Sequence, residues 1–234
     1  MKFKHYFKVL LSNYFVKIKE GPLKGRRWAR VTGRKYIHGR EEPYKTEAFL
    51  ANFKKGEVFF DIGAHIGYFS SMASVINAGE GKVFAFEPRP MNIGFFKKHM
   101  ALNGFSDVTL FEAAVGDTDK EVRFDSNKGS ATGRIDPEGN LAVKQVSIGR
   151  MVKDGSLPNP SFVKIDVEGG EIGVLNGLEE VIASARPKLI VATHNPECHA
   201  FVLQFLDRHR YNYTILNPGA VKGDTEIVAL PANT

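Results

Sequence analysis

One cysteine, Cys198, is present in 234 residues. An intramolecular disulfide is therefore excluded, and the chain suits a reducing, cytoplasmic setting. No apolar run approaches the roughly eighteen residues that a membrane-crossing helix needs. The Gly-Lys-Ser/Thr of a Walker phosphate loop is missing, and so is the Gly-x-Gly-x-x-Gly fingerprint of a pyrophosphate site. Internal repeats and low-complexity tracts are lacking as well. Acids are nearly missing from residues 1–40, which hold 12 Lys/Arg and one acid, Glu20. The remaining residues hold 20 basic and 25 acidic side chains, so the net charge of +6 belongs to the N-terminal segment. Nucleic-acid binding by the whole protein is not expected from that distribution. At 43% hydrophobic and 25% charged residues, the composition is that of a soluble globular protein.

What is present is organised around Val58-Phe-Phe-Asp61-Ile-Gly63-Ala-His65-Ile-Gly67-Tyr68-Phe-Ser70. An apolar strand ends in an acid, crosses a turn with two glycines and enters a helix. Such a turn brings backbone close to a ligand, and the helix start carries unpaired N–H groups. The same grammar recurs. Gly81–Pro88 is a strand ending in Glu87, followed by a helix over 90–102. Val108–Glu112 is a third strand, leading into Ala113-Ala114-Val115-Gly116-Asp117. Ser161–Asp166 is a fourth, with Val167-Glu168-Gly169-Gly170-Glu171 as its turn, and Pro187–Thr193 a fifth, with His194 beyond it. The spacing predicts further helices over 45–53 and 196–209 and closing strands over 212–216 and 226–230. Residues 118–160 read as an insertion with exposed strands at 121–125 and 142–148 around a Gly/Ser-rich loop, 127–133.

Before the first glycine turn, residues 1–19 carry Phe3, Phe7, Leu11, Tyr14 and Ile18 at helical spacing, with Lys2, Lys8 and Lys19 elsewhere on the wheel. This predicts a basic amphipathic helix that either packs on the domain or touches a membrane surface. Its charges and the lack of a small-residue cleavage site do not suit a signal peptide. Residues 28–37 are expected to form a short hairpin turning near Thr32-Gly33. The division is a basic extension, 1–55, and a catalytic domain, 56–234.

Strands alternating with helices imply an α/β fold, a doubly wound, mostly parallel sheet. Ligands on such sheets bind beyond the carboxyl ends of the strands. Asp61, Glu87, Asp166 and His194 all fall at that rim. A carboxylate at the end of the second strand can accept both hydroxyl hydrogens of a ribose. That leaves NAD or S-adenosylmethionine. A pyrophosphate would meet Asp61 unfavourably, whereas a sulfonium bearing an amino-acid tail would not.

The order and wording of these motifs resemble the FkbM family of class I S-adenosylmethionine-dependent methyltransferases. The resemblance rests on Gly39-x-x-Glu42, Asp61 to Ser70, Phe86-Glu87-Pro88, Leu102-Asn103-Gly104, Ala113 to Asp117 and Lys164-Ile-Asp-Val-Glu-Gly-Gly-Glu171. It covers roughly residues 36–216. It implies a Rossmann-like seven-stranded sheet and S-adenosyl-L-methionine as cofactor. By position, Asp61, Gly63, Ala64, His65, Gly67 and Tyr68 would line the methionine end. Glu87 would hold the ribose, Pro88 and Arg89 would shape the adenosine pocket, and Ala113, Ala114 and Gly116 would border the adenine. Asp166 and Glu168 would face the reaction centre. His65 stands where the family usually has Asn; both types tolerate left-handed backbone angles, so the turn is expected to survive.

If the fourth strand continues briefly, Lys164, Asp166 and Glu168 share a face. Clustered carboxylates raise one pKa towards neutrality and so supply a base; His194 is the other candidate. Asp166, Glu168 and His194 also suit Mg²⁺ or Mn²⁺, but no metal is assigned. Glu171 reads as a first-turn helix carboxylate. His5, His38, His99, His199 and His209 are taken as surface or packing residues. Glu42 and Ser130 are candidates for the acceptor side. The expected activity is methylation of a hydroxyl on a sugar, glycan or small metabolite, with possible peripheral membrane contact through residues 1–19. The alternatives are a membrane-docking module with a nucleotide-like ligand and an NAD-dependent oxidoreductase.

Overall fold

The computed structural model describes residues 14–126, 133–217, 219 and 224–232. Its first elements are an antiparallel ribbon of β1 (Phe15–Lys17) and β2 (Arg27–Ala29). A 3-10 turn (Arg30–Thr32), α1 (Arg34–Ile37) and α2 (Pro43–Asn52) follow. Then β3 (Val58–Ile62), α3 (Tyr68–Asn77), β4 (Lys82–Phe86), α4 (Pro90–Asn103) and β5 (Val108–Phe111) alternate. β6 (Ala114–Val115), β7 (Lys120–Asp125), β8 (Arg134–Ile135) and β9 (Leu141–Val146) form a separate sheet ordered β6-β9-β7-β8. The chain closes with α5 (Ile148–Lys153), β10 (Phe162–Ile165), α6 (Glu171–Ala185), β11 (Lys188–His194), α7 (Pro196–Arg208), β12 (Tyr211–Ile215) and β13 (Asp224–Pro231).

The main sheet has seven strands in the order β12-β13-β11-β10-β3-β4-β5. β3, β4, β5, β10 and β11 run parallel, and β13 lies antiparallel between β11 and β12. The chain winds outward from β3 in one direction and from β10 in the other. The switch point therefore falls between the carboxyl ends of β3 and β10.

The apolar runs become buried strands because both faces are covered. Phe60, Ile62, Val163 and Ile165 are fully buried on the α6 and α7 face, with Val174, Leu178, Val202 and Phe205. Phe59 and Phe162 point the other way, into a cluster with Phe49, Phe69 and Met72. Ile18, Leu23 and Trp28 belong to that second cluster, so the extension shares a core with the sheet. Each large side chain so buried stabilises the fold by roughly 1.5–3 kcal/mol before entropy is counted.

Two expectations about the extension are overturned. Residues 15–17 form a strand, so the predicted helix over 1–19 does not reach its own C-terminal end; residues 1–13 lie outside the described residues. The hairpin joins residues 15–17 to 27–29, with Val16 opposite Trp28, instead of turning at Thr32-Gly33. The Gly21-Pro22 and Gly25 turn is what reverses the chain, and Arg34–Ile37 is helical. Tyr14 and Ile18 are the members of that stripe among the described residues, and so short a pattern does not tell helix from strand. The loop 127–132, with Ser130, also lies outside the described residues.

Candidate active site

The site begins with the turn after β3. Gly63 has φ of 75°, and a Cβ there would sit 1.8 Å from the Asp166 carbonyl oxygen. Close approach of β10, not a ligand, demands this glycine. Gly67 has φ of 87°, and its missing Cβ makes room for Phe96 and Met100 of α4. His65 has φ of 51°, the left-handed angle expected of it. Four of the turn's N–H groups are spent internally. Gly63 and Ala64 both donate to the Phe86 carbonyl at 3.0 Å, Gly67 donates to the Ala64 carbonyl, and His65 donates to Glu87 Oε2 at 2.9 Å. Those four are withdrawn from any anion.

Asp61 is fully buried behind the turn. Its Oδ2 accepts from the Ser70 backbone N–H (3.0 Å) and hydroxyl (2.6 Å), and its Oδ1 from Lys164 Nζ (3.2 Å). Lys164 stands opposite Asp61 across the β3–β10 pair and also donates to the Gly63 carbonyl at 3.0 Å. Asp61 does not line the cavity; it fixes the helix start and the lysine that do.

A single cavity of about 500 Å³ opens over the switch point. Gly63, Ala64, His65, Tyr68 and Lys164 line its floor, and Glu87, Pro88, Arg89, Ala113 and Ala114 line one end. Gly116 faces Gln145 instead. Glu87 accepts from the Arg89 N–H (3.0 Å) and Asn92 Nδ2 (3.1 Å) besides His65. Burial raises its carboxyl to about 7 despite these donors. His65 is held neutral, lowered to about 4 by burial and then by Lys164. The Tyr36 hydroxyl lies 3.2 Å from its Nδ1, while Nε2 is buried without a hydrogen-bond partner among the described residues.

The opposite end is built from Glu42, Asp166, Glu168 and His194, with Lys45 in their midst. Lys45 Nζ lies 2.5 Å from Asp166 Oδ2, 2.6 Å from Glu42 Oε1 and 3.6 Å from Glu226 Oε1. Burial would lower the Lys45 ammonium, but Asp166 and Glu42 override it and hold it charged. Burial likewise opposes ionisation of Asp166, yet Lys45 and Lys164 drive its carboxyl well below the usual range. His194 donates from Nδ1 to Glu171 Oε1 at 2.7 Å, and its Nε2 lies 3.4 Å from Asp166 Oδ1 and 3.6 Å from Glu168 Oε1. Burial alone would lower His194; its bonds to Asp166 and Glu171 instead push it up to about 10. It is an imidazolium at neutral pH. The Glu168 carboxyl, unlike that of Asp166, is raised, by burial first and by Asp166 and Glu171, against the pull of His194. The two titrate as parts of one cluster.

β10 stops at Ile165, so strand alternation does not carry Glu168 to the cavity. A left-handed turn at Glu168 (φ 56°) and Gly169 (φ 103°) does. Among the described residues, Asp166, Glu168 and His194 have ligand-type atoms within 4.8 Å of one another, and Lys45 and the imidazolium supply counter-charge to them. Two participants escaped the sequence reading. Lys45 lies three and four residues before Ala48 and Phe49, hence on the buried face of α2, and that spacing was its signal. Glu226 sits on the antiparallel strand beside β11, which local motifs do not announce. Glu171, fully buried, is more than a first-turn carboxylate because it orients His194. His99, read as a packing residue, is buried and joins Ala29 N–H (3.1 Å) to the Ile66 carbonyl (2.9 Å), tying the ribbon to the glycine turn.

The sequence pattern of the Methyltransferase FkbM domain matches residues 61–213. The chain belongs to the FkbM methyltransferase family. Its match to the hexuronic acid methyltransferase AglP of Haloferax volcanii is 27% identical over 137 residues, 58% of this chain and 55% of that protein. The crystal structure of the FkbM methyltransferase from Methylobacillus flagellatus KT superposes with a TM-score of 0.58 at 20% identity, covering 85% of this chain and 50% of that one. The precorrin-6y C5,15-methyltransferase of Geobacter metallireducens gives 0.54 at 18% identity, covering 86% and 93%. The structural likenesses confirm the class I methyltransferase-like α/β fold. The chain spans about half the length of AglP and of the Methylobacillus flagellatus protein. Neither alternative, the nucleotide-binding docking module or the NAD-dependent oxidoreductase, finds support in this family assignment.

Proposed function

We propose that this chain is an S-adenosylmethionine-dependent methyltransferase that methylates a hydroxyl of a sugar, glycan or small metabolite. One observation carries the reading. In a chain of this family, a single cavity joins a buried carboxylate at the end of β4 to a charged cluster at the ends of β10 and β11. The residues fit the cofactor. Four N–H groups of the turn are already bonded, Asp61 puts negative charge behind it, and Glu87, when ionised, presents an acceptor-only group at the ribose position. The unpartnered His65 Nε2 adds one polar atom on the same wall. When bound, S-adenosylmethionine supplies an electrophilic methyl group on a sulfonium.

The rest falls to this chain's side chains. Pro88, Arg89, Ala113 and Ala114 would enclose the adenosine side, and Gly63 to His65 the methionine side. Lys164 holds the turn and Asp166 in place. The acceptor oxygen would take the methyl as S-adenosylhomocysteine leaves, and its proton would pass to Glu168, whose carboxyl is raised by burial and lies beside Asp166 and His194. His194, already protonated, steadies the Glu168 and Asp166 charges, and Glu171 fixes its ring. Titration calorimetry with S-adenosylmethionine and S-adenosylhomocysteine tests the reading. Saturable binding is expected, weakened at least about tenfold by Glu87→Ala because the partners of a buried group are left unpaired; a folded protein that binds neither compound would sink it.

The basic extension supports a peripheral contact with an anionic membrane surface. Lys17, Lys19, Lys24, Arg27, Arg34 and Lys35 are exposed on it. Co-sedimentation with vesicles containing phosphatidylserine should fall when salt is raised, when residues 1–13 are removed, and further when Lys17, Lys19 and Lys24 are changed to Glu; recovery unchanged by all three would reject the contact.

A further inference from the structure

The family pattern spans residues 61–213, yet it does not contain the whole cavity. Tyr36, Glu41, Glu42 and Lys45 arrive from the N-terminal side, and Asp224 and Glu226 from the C-terminal side. The two flanks meet at Lys45 and Glu226, 3.6 Å apart. Together they make a wall that adjoins Asp166 through the Lys45 ammonium. Four of those six side chains are acids. The single cation among them, Lys45, is only 3% exposed and spends its ammonium on Glu42, Asp166 and Glu226. Three carboxylates ring that ammonium, so an incoming anion would meet their charge around it. The other cations lining the cavity among the described residues are each paired in part. Lys164 is bound to Asp61 and the Gly63 carbonyl, His194 to Glu171, and an Arg89 Nη2 hydrogen to the Ser126 carbonyl.

From this wall we infer that the acceptor is a polyhydroxyl compound carrying no carboxylate, and that Glu41, Glu42, Asp224 and Glu226 set that choice. An acceptor hydroxyl can donate to the remaining carboxylate lone pairs; a uronate would bring a further negative charge to a wall on which, among the described residues, carboxylates outnumber cations. The raised carboxyls of Glu41 and Glu226, each pushed up first by burial, are consistent with a surplus of negative charge there. The inference rests on the methyl-transfer reading above and adds the acceptor's charge class. It separates this chain from the relative named for hexuronic acid, whose similarity covers 58% of this chain.

The test measures transfer of labelled methyl groups by the full chain to matched pairs of methyl glycosides and methyl uronides of the gluco, galacto and manno series. The neutral member of a pair should be used with kcat/KM at least about tenfold higher. Uronides used equally well or better would overturn the inference. A wild-type sample that fails to bind S-adenosylhomocysteine in calorimetry would instead overturn the methyltransferase reading beneath it. Glu226→Gln removes one wall charge from a group 19% exposed. It should raise the uronide-to-glycoside ratio about threefold or more, whatever it does to the overall rate. An unchanged ratio in a variant that still binds the cofactor product would show that wall charge does not select the acceptor.

Discussion

At the residue scale the decisive group is Glu87. Its carboxyl sits near 7 because burial outweighs three donors, the Arg89 and His65 N–H groups and Asn92. A diol needs the ionised form, which accepts at both oxygens. As pH falls through 7 the proton occupies one acceptor site, and binding must expel it. S-adenosylhomocysteine affinity should therefore drop about tenfold between pH 8 and pH 6, following the ionised fraction of a group with that pKa. Glu87→Gln should bind weakly at both pH values with a flat profile, and calorimetry at the two pH values reads both outcomes. A pH-independent wild type would show that Glu87 does not hold the ligand. The same sign logic governs stability. A carboxyl raised above its unfolded value favours folding at low pH and withdraws that contribution as pH climbs past 7. Part of this was legible in the sequence, since Glu87 stands one strand-helix unit after the glycine turn. Asp61 shows the limit. Its position suggested ligand contact, but Ser70 and Lys164, nine and 103 residues away, consume it from behind.

At the scale of elements, the strands that end in acids were readable because both of their faces are apolar and glycine or proline bounds them. The extension was misread because its period is short and its pairing is non-local. Val16 meets Trp28, Trp28 stacks on His99 at 3.7 Å, and nothing within residues 14–19 encodes that contact. This changes where a truncation can be made. Removing residues 1–13 leaves every described contact intact. Removing 1–19 strips Ile18 from the core, where it is 2% exposed, and deletes the partner of β2. The longer truncation should cost about 3 kcal/mol or more, from the lost apolar burial and the cavity left behind, whereas the shorter should change the urea midpoint little. Only the shorter one is a fair control for vesicle binding. Urea titration of both decides it, and equal midpoints would mean that the β1–β2 ribbon contributes nothing to the fold.

At the scale of the whole molecule, the chain closes its site by bringing both flanks of the family region to one lysine. α2 and β13 are separated by well over a hundred residues and packed against each other, so no sequence motif could have paired Lys45 with Glu226. Lys45 is 3% exposed and neutralises Asp166, itself 15% exposed, so its removal leaves a nearly buried carboxylate uncompensated. Lys45→Met keeps the length and apolar stem but deletes the charge. Breaking such a pair typically costs about 3–5 kcal/mol. The deficit should shrink as pH falls, because the orphaned Asp166 carboxyl, now without the ammonium that depressed it, can be protonated. In the wild type the opposite holds: with a folded pKa well below the unfolded one, Asp166 stabilises the protein above the ordinary carboxylate range and loses that contribution in strong acid. The stability difference between wild type and Lys45→Met should thus be large at pH 8 and narrow toward pH 4. Denaturant titrations across that range give the difference directly, and a constant offset would show that the lysine acts through packing alone and not as the charge that joins the two flanks to the site.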